Sequence, residues 1–336
     1  MVRILITGAG GAAAVSLLRH PRYRREDLFA ADIDRHAAGL YLVGEHRRSI
    51  VPPAGDPSFV DDVLDLCADH GIDVLIPTVD DELLPISLHR PRFEAVGTRV
   101  MVESPHLLRT CLDKATLLEV AAGLVPVPKS TVWGAETELP EARRPLLVKP
   151  RSGSGSRGVR RIDRIEELER LPRDGSLLVQ EHLPGAEYSV DAVAGAGGRV
   201  LAAVPRERLK IDSGIAVAAR SLRDDDLERH ATELTEALGL RFTANVQFKR
   251  DAAGVPKLLE INPRFPGTMP LTVRSGVDIP ALCLDKVLGR PLPRRPLSFE
   301  PTVMVRHWRE TWPEALVGEG AADTGPEFRP RRAAAG

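Results

Sequence analysis

Apolar and polar positions near the start of the chain follow a pattern that predicts strands separated by helices. The predicted strands are the apolar runs Arg3–Thr7, Leu28–Asp32, Arg48–Val51, Val74–Pro77 and Arg99–Val102. The apolar stripe from Val63 to Cys67 is typical of a helix between the third and fourth runs. Apolar strands that alternate with helices favour parallel pairing, with helices on both faces of the sheet. We therefore predict an α/β domain with a parallel sheet over residues 1–108.

The pattern changes after residue 108, where strand-like runs follow one another with few helices between them. These runs are Leu146–Lys149, Leu177–Glu181, Tyr188–Ala194, Val200–Val204, Ala216–Leu222, Thr243–Phe248 and Lys257–Ile261. Glycine-bearing links predict antiparallel hairpins, and an amphipathic helix is predicted from Asp224 to Gly239. We predict an α+β region with two parts, residues 109–185 and 186–300. Residues 301–336 form a C-terminal extension whose last part lacks periodicity, which predicts a mobile tail.

Composition narrows the classes of partner. The chain of 336 residues carries 46 Lys and Arg against 47 Asp and Glu, so it lacks the basic excess typical of nucleic-acid binding. Its apolar runs fall short of the ~20 residues needed to cross a bilayer. The 3 cysteines are too few and too scattered for a disulfide framework or a structural zinc site. We expect a cytoplasmic protein that binds neither nucleic acid nor membrane.

A glycine-rich turn follows the first predicted strand. It reads Gly8-Ala9-Gly10-Gly11, and Asp32 follows at the end of the second strand. A dinucleotide site uses such glycines for the pyrophosphate and such an acid for a ribose hydroxyl. The third glycine of that motif is missing, because position 13 is Ala. We favour a tight turn or a substrate-side role over a nicotinamide site.

A second glycine-rich segment follows Lys149. That lysine ends an apolar strand, and residues 151–159 after it are rich in Gly and Ser. Backbone N–H groups and hydroxyls in such a loop can point at phosphate oxygens, and a nearby Lys supplies positive charge. The segment could otherwise be a flexible linker. Because strands frame it, we favour a phosphate-binding loop.

Three oxygen-bearing side chains lie on two neighbouring predicted strands. Glu260 and Asn262 are two positions apart, so they share one face of their strand, and Gln247 interrupts the apolar strand before it. The short link between the strands predicts a hairpin that brings the three together. A few hard oxygen ligands, with room for phosphate and water, are what Mg²⁺ prefers. The alternative is a polar face open to solvent.

In their order and spacing, these segments resemble the ATP-grasp enzymes. The similarity is to the large subunit of carbamoyl-phosphate synthase and to stand-alone carboxylate–amine ligases. It includes residues 73–78, Asp113-Lys114, residues 123–128 and the loop after Lys149. The resemblance implies a pre-ATP-grasp α/β domain followed by an ATP-grasp fold of two subdomains, with ATP bound between the subdomains.

The resemblance also implies roles for individual residues in binding ATP. Two lysines are expected at its phosphates, Lys114 and Lys149, under a lid that includes Ser154, Gly155, Ser156 and Gly158. Glu187 is expected at the ribose, although it could equally be an exposed strand acid. Gln180 is expected to face the adenine amino group, with the backbone of Glu181 and Leu183 completing that edge. Whether Gln180 or Glu181 holds the adenine-facing position is left open.

The remaining implied roles concern metal, phosphoryl transfer and substrate. The metal ligands are Gln247, Glu260 and Asn262, which are expected to hold two Mg²⁺ ions, with Mn²⁺ as a substitute and Glu260 as the bridge. Asn245 stands where the D-alanine ligase type has an Arg. Arg264 is the candidate to steady the transferred phosphoryl group, and Lys210 is a second cation expected near the phosphates. The candidates for contacts with the acid substrate are Thr78, Asp80 and Glu82.

The implied function is an ATP-dependent ligase of small molecules. It activates a carboxylate, of an amino acid above all, as an acyl phosphate and joins it to an amine, releasing ADP and phosphate. Homodimers are common among such enzymes, so a homodimer is expected. The alternatives are phosphorylation of bicarbonate or carbamate, a non-catalytic ATP-binding module and, from the glycine turn alone, a nicotinamide-dependent oxidoreductase.

Overall fold

The computed structural model describes residues 1–137, 145–153, 158–212, 215–313 and 316. The helices are α1 (Ala12–Leu18), α2 (Phe59–His70), α3 (Asp80–Leu88), α4 (Arg90–Ala95), α5 (Pro105–Leu112), α6 (Lys114–Ala121), α7 (Ile165–Glu169), α8 (Asp225–Ala237), α9 (Met269–Arg274) and α10 (Ile279–Val287). The strands are β1 (Arg3–Thr7), β2 (Asp27–Asp32), β3 (Arg48–Ile50), β4 (Val74–Ile76), β5 (Arg99–Val100), β6 (Ser130–Gly134), β7 (Leu146–Pro150), β8 (Arg160–Ile162), β9 (Asp174–Glu181), β10 (Glu187–Ala194), β11 (Val200–Asp212), β12 (Ile215–Ser221), β13 (Thr243–Arg250), β14 (Pro256–Asn262) and β15 (Val303–Val305).

The N-terminal strands form a parallel sheet in the order β3-β2-β1-β4-β5. Its strands are apolar because helices cover both faces; Ile4, Ile6 and Leu75 are almost completely buried. The strand order reverses between β1 and β4, which opens a crevice at their carboxyl ends. The predicted parallel α/β domain is confirmed.

The rest of the chain forms two antiparallel sheets. The six-stranded sheet has the order β14-β13-β10-β11-β12-β15, and the four-stranded sheet has the order β6-β9-β7-β8. Helix α8 packs its apolar face, which includes Leu227 and Leu234, against the six-stranded sheet. This confirms the predicted α+β architecture with two subdomains. The numbered domain boundaries stay predictions.

The N-terminal domain and the six-stranded sheet share one core. Ile4, Leu17 and Ala37 belong to the same buried apolar cluster as Val204 and Phe265. Glu103 adds a polar link, because its carboxylate accepts from the backbone N–H groups of Arg241 at 2.9 Å and Phe242 at 2.8 Å. The crevice of the first domain therefore has a defined position relative to the second.

Several elements differ from the predictions for a physical reason. β11 continues to Asp212, whereas its apolar pattern ends near Val204, because pairing with β12 supports its charged second half. The helix α5 begins at Pro105. Proline is compatible with the first turn of a helix, and the Ser104 hydroxyl caps this one by accepting from the N–H of Leu107. None of the helices in the described ranges is long and apolar enough to span a membrane.

Candidate active site

A cavity of about 220 Å³ lies between the two antiparallel sheets. The residues around it come from β7, β9, β10, β13, β14, the start of α6 and the segments that follow β7 and β9. Those predicted from the sequence to bind nucleotide or metal and found on its wall are Lys114, Lys149, Gln180, Glu181, Leu183, Glu187, Gln247 and Glu260. Residues distant in the sequence thus share one wall.

Two lysines give the cavity positive charge. Lys149, on β7, is 6% exposed, and burial lowers the pKa of its ammonium to about 8, with attraction to Glu260 opposing the shift and repulsion from Lys114 adding to it. The Lys114 ammonium donates to the carbonyl of Gly153 at 2.6 Å and lies 3.7 Å from a carboxylate oxygen of Glu260. Cations held in a partly enclosed cleft attract a polyanion such as a triphosphate.

The three metal candidates meet on one face of the β13–β14 hairpin. Gln247 pairs directly with Glu260 in the antiparallel register, so both side chains point the same way. The Asn262 amide lies 3.2 Å from a Glu260 oxygen, and the Gln247 amide lies 3.3 Å from the Asn245 oxygen. The predicted hairpin is confirmed, with its turn between Arg250 and Pro256.

These donors fit a hard cation that arrives with phosphate. One carboxylate and two amide oxygens suit Mg²⁺, which retains waters and phosphate oxygens in its shell. Among the described residues there is no group of three His, Cys, Asp or Glu side chains suited to a metal.

The two candidates for the adenine-facing position, Gln180 and Glu181, have different hydrogen-bond partners at the other end of the cavity. The Gln180 amide, 1% exposed, donates to the Ser130 hydroxyl at 3.1 Å. The Glu181 carboxylate is already used: it accepts from the Lys257 ammonium at 2.6 Å and from the backbone N–H of Lys129 at 3.0 Å. This occupation fits the backbone role expected of Glu181. Which of the two faces adenine stays a prediction.

The structure does not bring Lys210 to the cavity. A register irregularity between Arg208 and Lys210 aligns Lys210 with Ala218, whose other neighbour is Val305. Val305 is 74% exposed, so this row of side chains faces away from the site. We had missed Arg208, which lies on the inner face, 3.5 Å from the Glu187 carboxylate. A bulge of this kind has no clear signature in the sequence.

The lid residues are described only in part. Gly158 has a φ of +74°, and a Cβ on it would lie 2.9 Å from the Pro150 ring, so the chain needs glycine here. Ser154, Gly155 and Ser156 lie outside the described residues.

The cysteines contribute no thiolate, because burial raises the pKa of Cys67 and Cys111 to about 12 and also raises that of Cys283.

Comparison with known families accounts for this arrangement. Residues 4–101 match the family model "PylC-like, N-terminal domain", and residues 173–311 match "ATP-grasp in the biosynthetic pathway with Ter operon". The chain therefore contains an ATP-grasp domain. The predicted resemblance is thereby confirmed.

Curated relatives of this ATP-grasp chain include much longer proteins. It is 31% identical to the carbamoyl phosphate synthase large chain of Thermomicrobium roseum over 52% of this chain, and 27% identical to that of Xylella fastidiosa over 73%. It spans only 19% and 25% of those two proteins. It is also 29% identical to the D-alanine–D-alanine ligase of Pediococcus pentosaceus, over 44% of this chain and 47% of that protein.

Solved structures share the ATP-grasp fold at low identity. The biotin carboxylase domain of the Hydrogenobacter thermophilus 2-oxoglutarate carboxylase, described as a dimer with MgADP and bicarbonate, matches with a TM-score of 0.72 at 17% identity, over 90% of this chain and 73% of that one. The L-amino acid ligase from Bacillus licheniformis matches with a TM-score of 0.65 at 17% identity, over 85% and 74%. These likenesses show the fold alone.

The acid-substrate candidates of this ATP-grasp chain lie in the crevice of the N-terminal domain, and each has a partner. The Thr78 hydroxyl donates to the Thr7 carbonyl at 2.8 Å, and Glu82 accepts from the Thr7 hydroxyl at 2.5 Å. Burial raises the pKa of Glu82 to about 7, with the Thr7 bond opposing the shift. Asp80 forms two 2.7 Å bonds with the guanidinium of Arg264. Their role as substrate contacts stays a prediction.

A buried polar network beside the metal candidates was also not predicted from the sequence. Asp191, completely buried on β10, accepts from Arg206, from the Asn245 amide at 2.7 Å and from the Thr272 hydroxyl at 2.6 Å. Asn245 therefore positions a carboxylate, and Arg206 from β11 supplies an arginine there. These partners are far apart in sequence, so spacing could not reveal them.

One more arginine of the inner face has a group without a partner. The Nε of Arg306 is buried and lacks a hydrogen-bond partner within the described residues, while another nitrogen of its guanidinium bonds the Gly267 carbonyl. Burial and the charge of Arg206 lower its pKa. A buried N–H without a partner is costly unless a ligand satisfies it.

Proposed function

We propose that this protein is an ATP-dependent ligase that activates the carboxylate of a small acid, an amino acid above all, and joins it to an amine. The observation that carries the proposal is the convergence of Lys114 and Lys149 with Gln247 and Glu260 on one cavity wall. Two cations and a set of hard oxygen ligands form the environment that a metal-bound triphosphate requires. The ligase relatives support the same activity.

In the proposed complex, the nucleotide spans the cavity. Its triphosphate contacts the ammonium groups of Lys114 and Lys149, and the Glu187 carboxylate accepts from the ribose hydroxyls. Gln180 and the backbone beside Leu183 contact the adenine edge. The assignment rests on the cavity wall and on the family pattern together.

Gln247, Glu260 and Asn262 would hold Mg²⁺ at the phosphates. The metal, when bound, neutralises negative charge on the phosphoryl group during transfer. The two lysines add positive charge beside these ligands, and the Asp191 network keeps Asn245 and its strand neighbours in place. One or two ions, or Mn²⁺ in their place, are compatible with this donor set.

The reaction follows from the weakness of a carboxylate as an electrophile. A carboxylate oxygen of the acid attacks the terminal phosphorus, and the bond to the ADP oxygen breaks. The amine then attacks the acyl carbon of the acyl phosphate, phosphate leaves with the bonding electrons, and the amine loses a proton. Arg264 and Arg306 are the cations proposed to stabilise the acyl phosphate. Because no thiolate is available, direct transfer to the amine is favoured over a cysteine-bound intermediate.

A second candidate function is phosphorylation of bicarbonate or carbamate. It is favoured by the similarity to carbamoyl phosphate synthase, of which this chain matches at most a quarter. A non-catalytic nucleotide-binding module is the third reading. Assembly as a homodimer and a cytoplasmic location are parts of the proposal as well, the first supported by the dimeric biotin carboxylase domain.

The test is a screen for phosphate release. Purified protein with Mg-ATP is supplied with pairs of amino acids and other acids and amines, and products are identified by mass spectrometry. We expect ADP and phosphate, with an amide formed from one pair. Formation of AMP, or phosphate release that depends on bicarbonate alone, would contradict the proposal. Nucleotide binding without turnover for any acid would favour the non-catalytic module.

A further inference from the structure

The ion pair between Arg264 and Asp80 joins the two halves of the molecule. Arg264 follows β14 in the ATP-grasp region, and Asp80 is the first residue of α3 in the N-terminal domain. The Nε and Nη2 of Arg264 lie 2.7 Å from the two oxygens of Asp80. The side chains are 20% and 13% exposed, so the pair is partly shielded from water. A bidentate pair of this kind fixes the plane of the guanidinium.

Both partners are held by their surroundings. Asp80 lies at the positive N-terminus of α3, which favours its charge, and Val79 before it packs so closely on Gly8 that a Cβ added to Gly8 would lie 2.4 Å from a Val79 methyl. On the side of Arg264, the next residue, Phe265, belongs to the core shared with the N-terminal domain. The position of the arginine therefore depends on the first domain.

As far as the described residues show, the ion pair leaves one edge of the guanidinium free. Arginine has five N–H groups. Two of them bond Asp80, and one on Nη1 faces the Phe265 carbonyl at 3.4 Å. One N–H on Nη1 and one on Nη2 remain, without a partner in the ranges that the structure describes. The two nitrogens that carry them, Nη1 and Nη2, form the end of the fork that matches two oxygens of a carboxylate or phosphate.

We propose that Asp80 is a positioning residue: it aims this free edge of Arg264 at the transferred phosphoryl group and does not itself contact the substrate. The proposal deepens the proposed function and rests on it for the identity of the anion. It assigns the N-terminal domain a direct part in the reaction, because the carboxylate that orients the arginine comes from α3.

The direction in which Asp80→Asn changes the affinity for an anion distinguishes a positioning role of Asp80 from a purely electrostatic one. Removal of a carboxylate beside an arginine raises the local positive potential, so charge alone predicts tighter anion binding in Asp80→Asn. Tighter anion binding is also expected if Asp80 only occupies Arg264 and so competes with the anion for it. Positioning predicts weaker binding, because the guanidinium loses its fixed orientation and the entropy cost of ordering it falls on the ligand.

The experiment measures the affinity of inorganic phosphate for the protein saturated with Mg-ADP, by calorimetry at pH 7. We expect binding by the wild type, about tenfold weaker binding by Asp80→Asn, and partial recovery in Asp80→Glu, which restores the charge one methylene further out. Asp81→Asn is the matched control, since Asp81 is the exposed neighbouring acid on α3, and we expect no change. In an Arg264→Ala background, Asp80→Asn should have no further effect.

Three results would overturn the proposal: tighter phosphate binding by Asp80→Asn, an effect of Asp80→Asn that persists without Arg264, or no phosphate binding by the folded wild type. Failure of the proposed function is a different outcome, since it would show as the absence of acid-dependent phosphate release while phosphate binding behaves as expected. Thermal melting of each variant checks that the fold is retained.

Discussion

Lys149 offers a prediction in which binding and stability move in opposite directions. Its ammonium is 6% exposed, and burial lowers its pKa from 10.5 to about 8. Below pH 8 the lysine is charged in both the folded and the unfolded chain, so the folded protein bears the whole cost of the buried charge. The shift of about 2.5 pKa units, at 1.36 kcal/mol each, corresponds to about 3 kcal/mol.

Lys149→Met removes this charge with little change in volume. We expect the nucleotide-free variant to be more stable than the wild type by up to about 3 kcal/mol at pH 7. Between pH 8 and 10.5 the folded wild type sheds its proton while the unfolded chain keeps it, so wild-type stability rises with pH. The advantage of the variant should therefore shrink to about 1 kcal/mol at pH 9.5. ATP affinity should fall about 100-fold, as for a lost charged hydrogen bond.

Urea denaturation at both pH values measures the first effect, and calorimetry with Mg-ATP measures the second. Lys129→Met is the matched control, because Lys129 is exposed, and its stability should change by less than about 0.5 kcal/mol. A variant of Lys149 that is less stable than the wild type at pH 7, or a gain that does not depend on pH, would refute the reasoning. Unchanged ATP affinity would remove the lysine from the phosphate site.

Three further predictions concern the crevice and the metal candidates. Burial raises the pKa of Glu82 to about 7, so the wild type loses stability as the pH rises from about 4.5 to 7. In thermal melts at pH 8, Glu82→Gln should therefore be more stable than the wild type by up to about 3 kcal/mol. At pH 5 the two proteins should differ little. Gly8→Ala should cost about 2 kcal/mol or more, measured by urea denaturation, since Gly8 has a φ of +65° and an added Cβ would lie 2.4 Å from a Val79 methyl. Glu260→Gln should keep the wild-type melting temperature within a few degrees and lose the Mg²⁺ dependence of nucleotide binding, and retained dependence would contradict the metal assignment.

Local pattern predicted the parts of this molecule that are built from neighbours in the sequence. The two-residue period of Glu260 and Asn262 fixed their common face, and the short link to Gln247 fixed the hairpin, so the metal candidates meet as expected. The parallel sheet followed from apolar runs alternating with helices. The periods of strands and helices depend on neighbouring residues, so a single sequence is enough to predict them.

Contacts between distant segments could not be predicted in this way. The pair of Arg264 with Asp80 spans 184 positions, and both residues had been given separate roles. Asp191 attracts Arg206 and Asn245 only because three strands lie side by side. The bulge that turns Lys210 outward depends on pairing with β12 and not on residue type. Such features arise from tertiary packing, which a single sequence does not display.

The central claim is that the cavity between the two antiparallel sheets holds a metal-bound nucleoside triphosphate. A crystal structure of the protein with Mg²⁺ and a non-hydrolysable ATP analogue tests it most directly. The account predicts phosphate oxygens in contact with Lys114 and Lys149, and a metal bound by Glu260 with Gln247 or Asn262. A triphosphate bound elsewhere, or a metal without oxygen ligands from the β13–β14 hairpin, would contradict it.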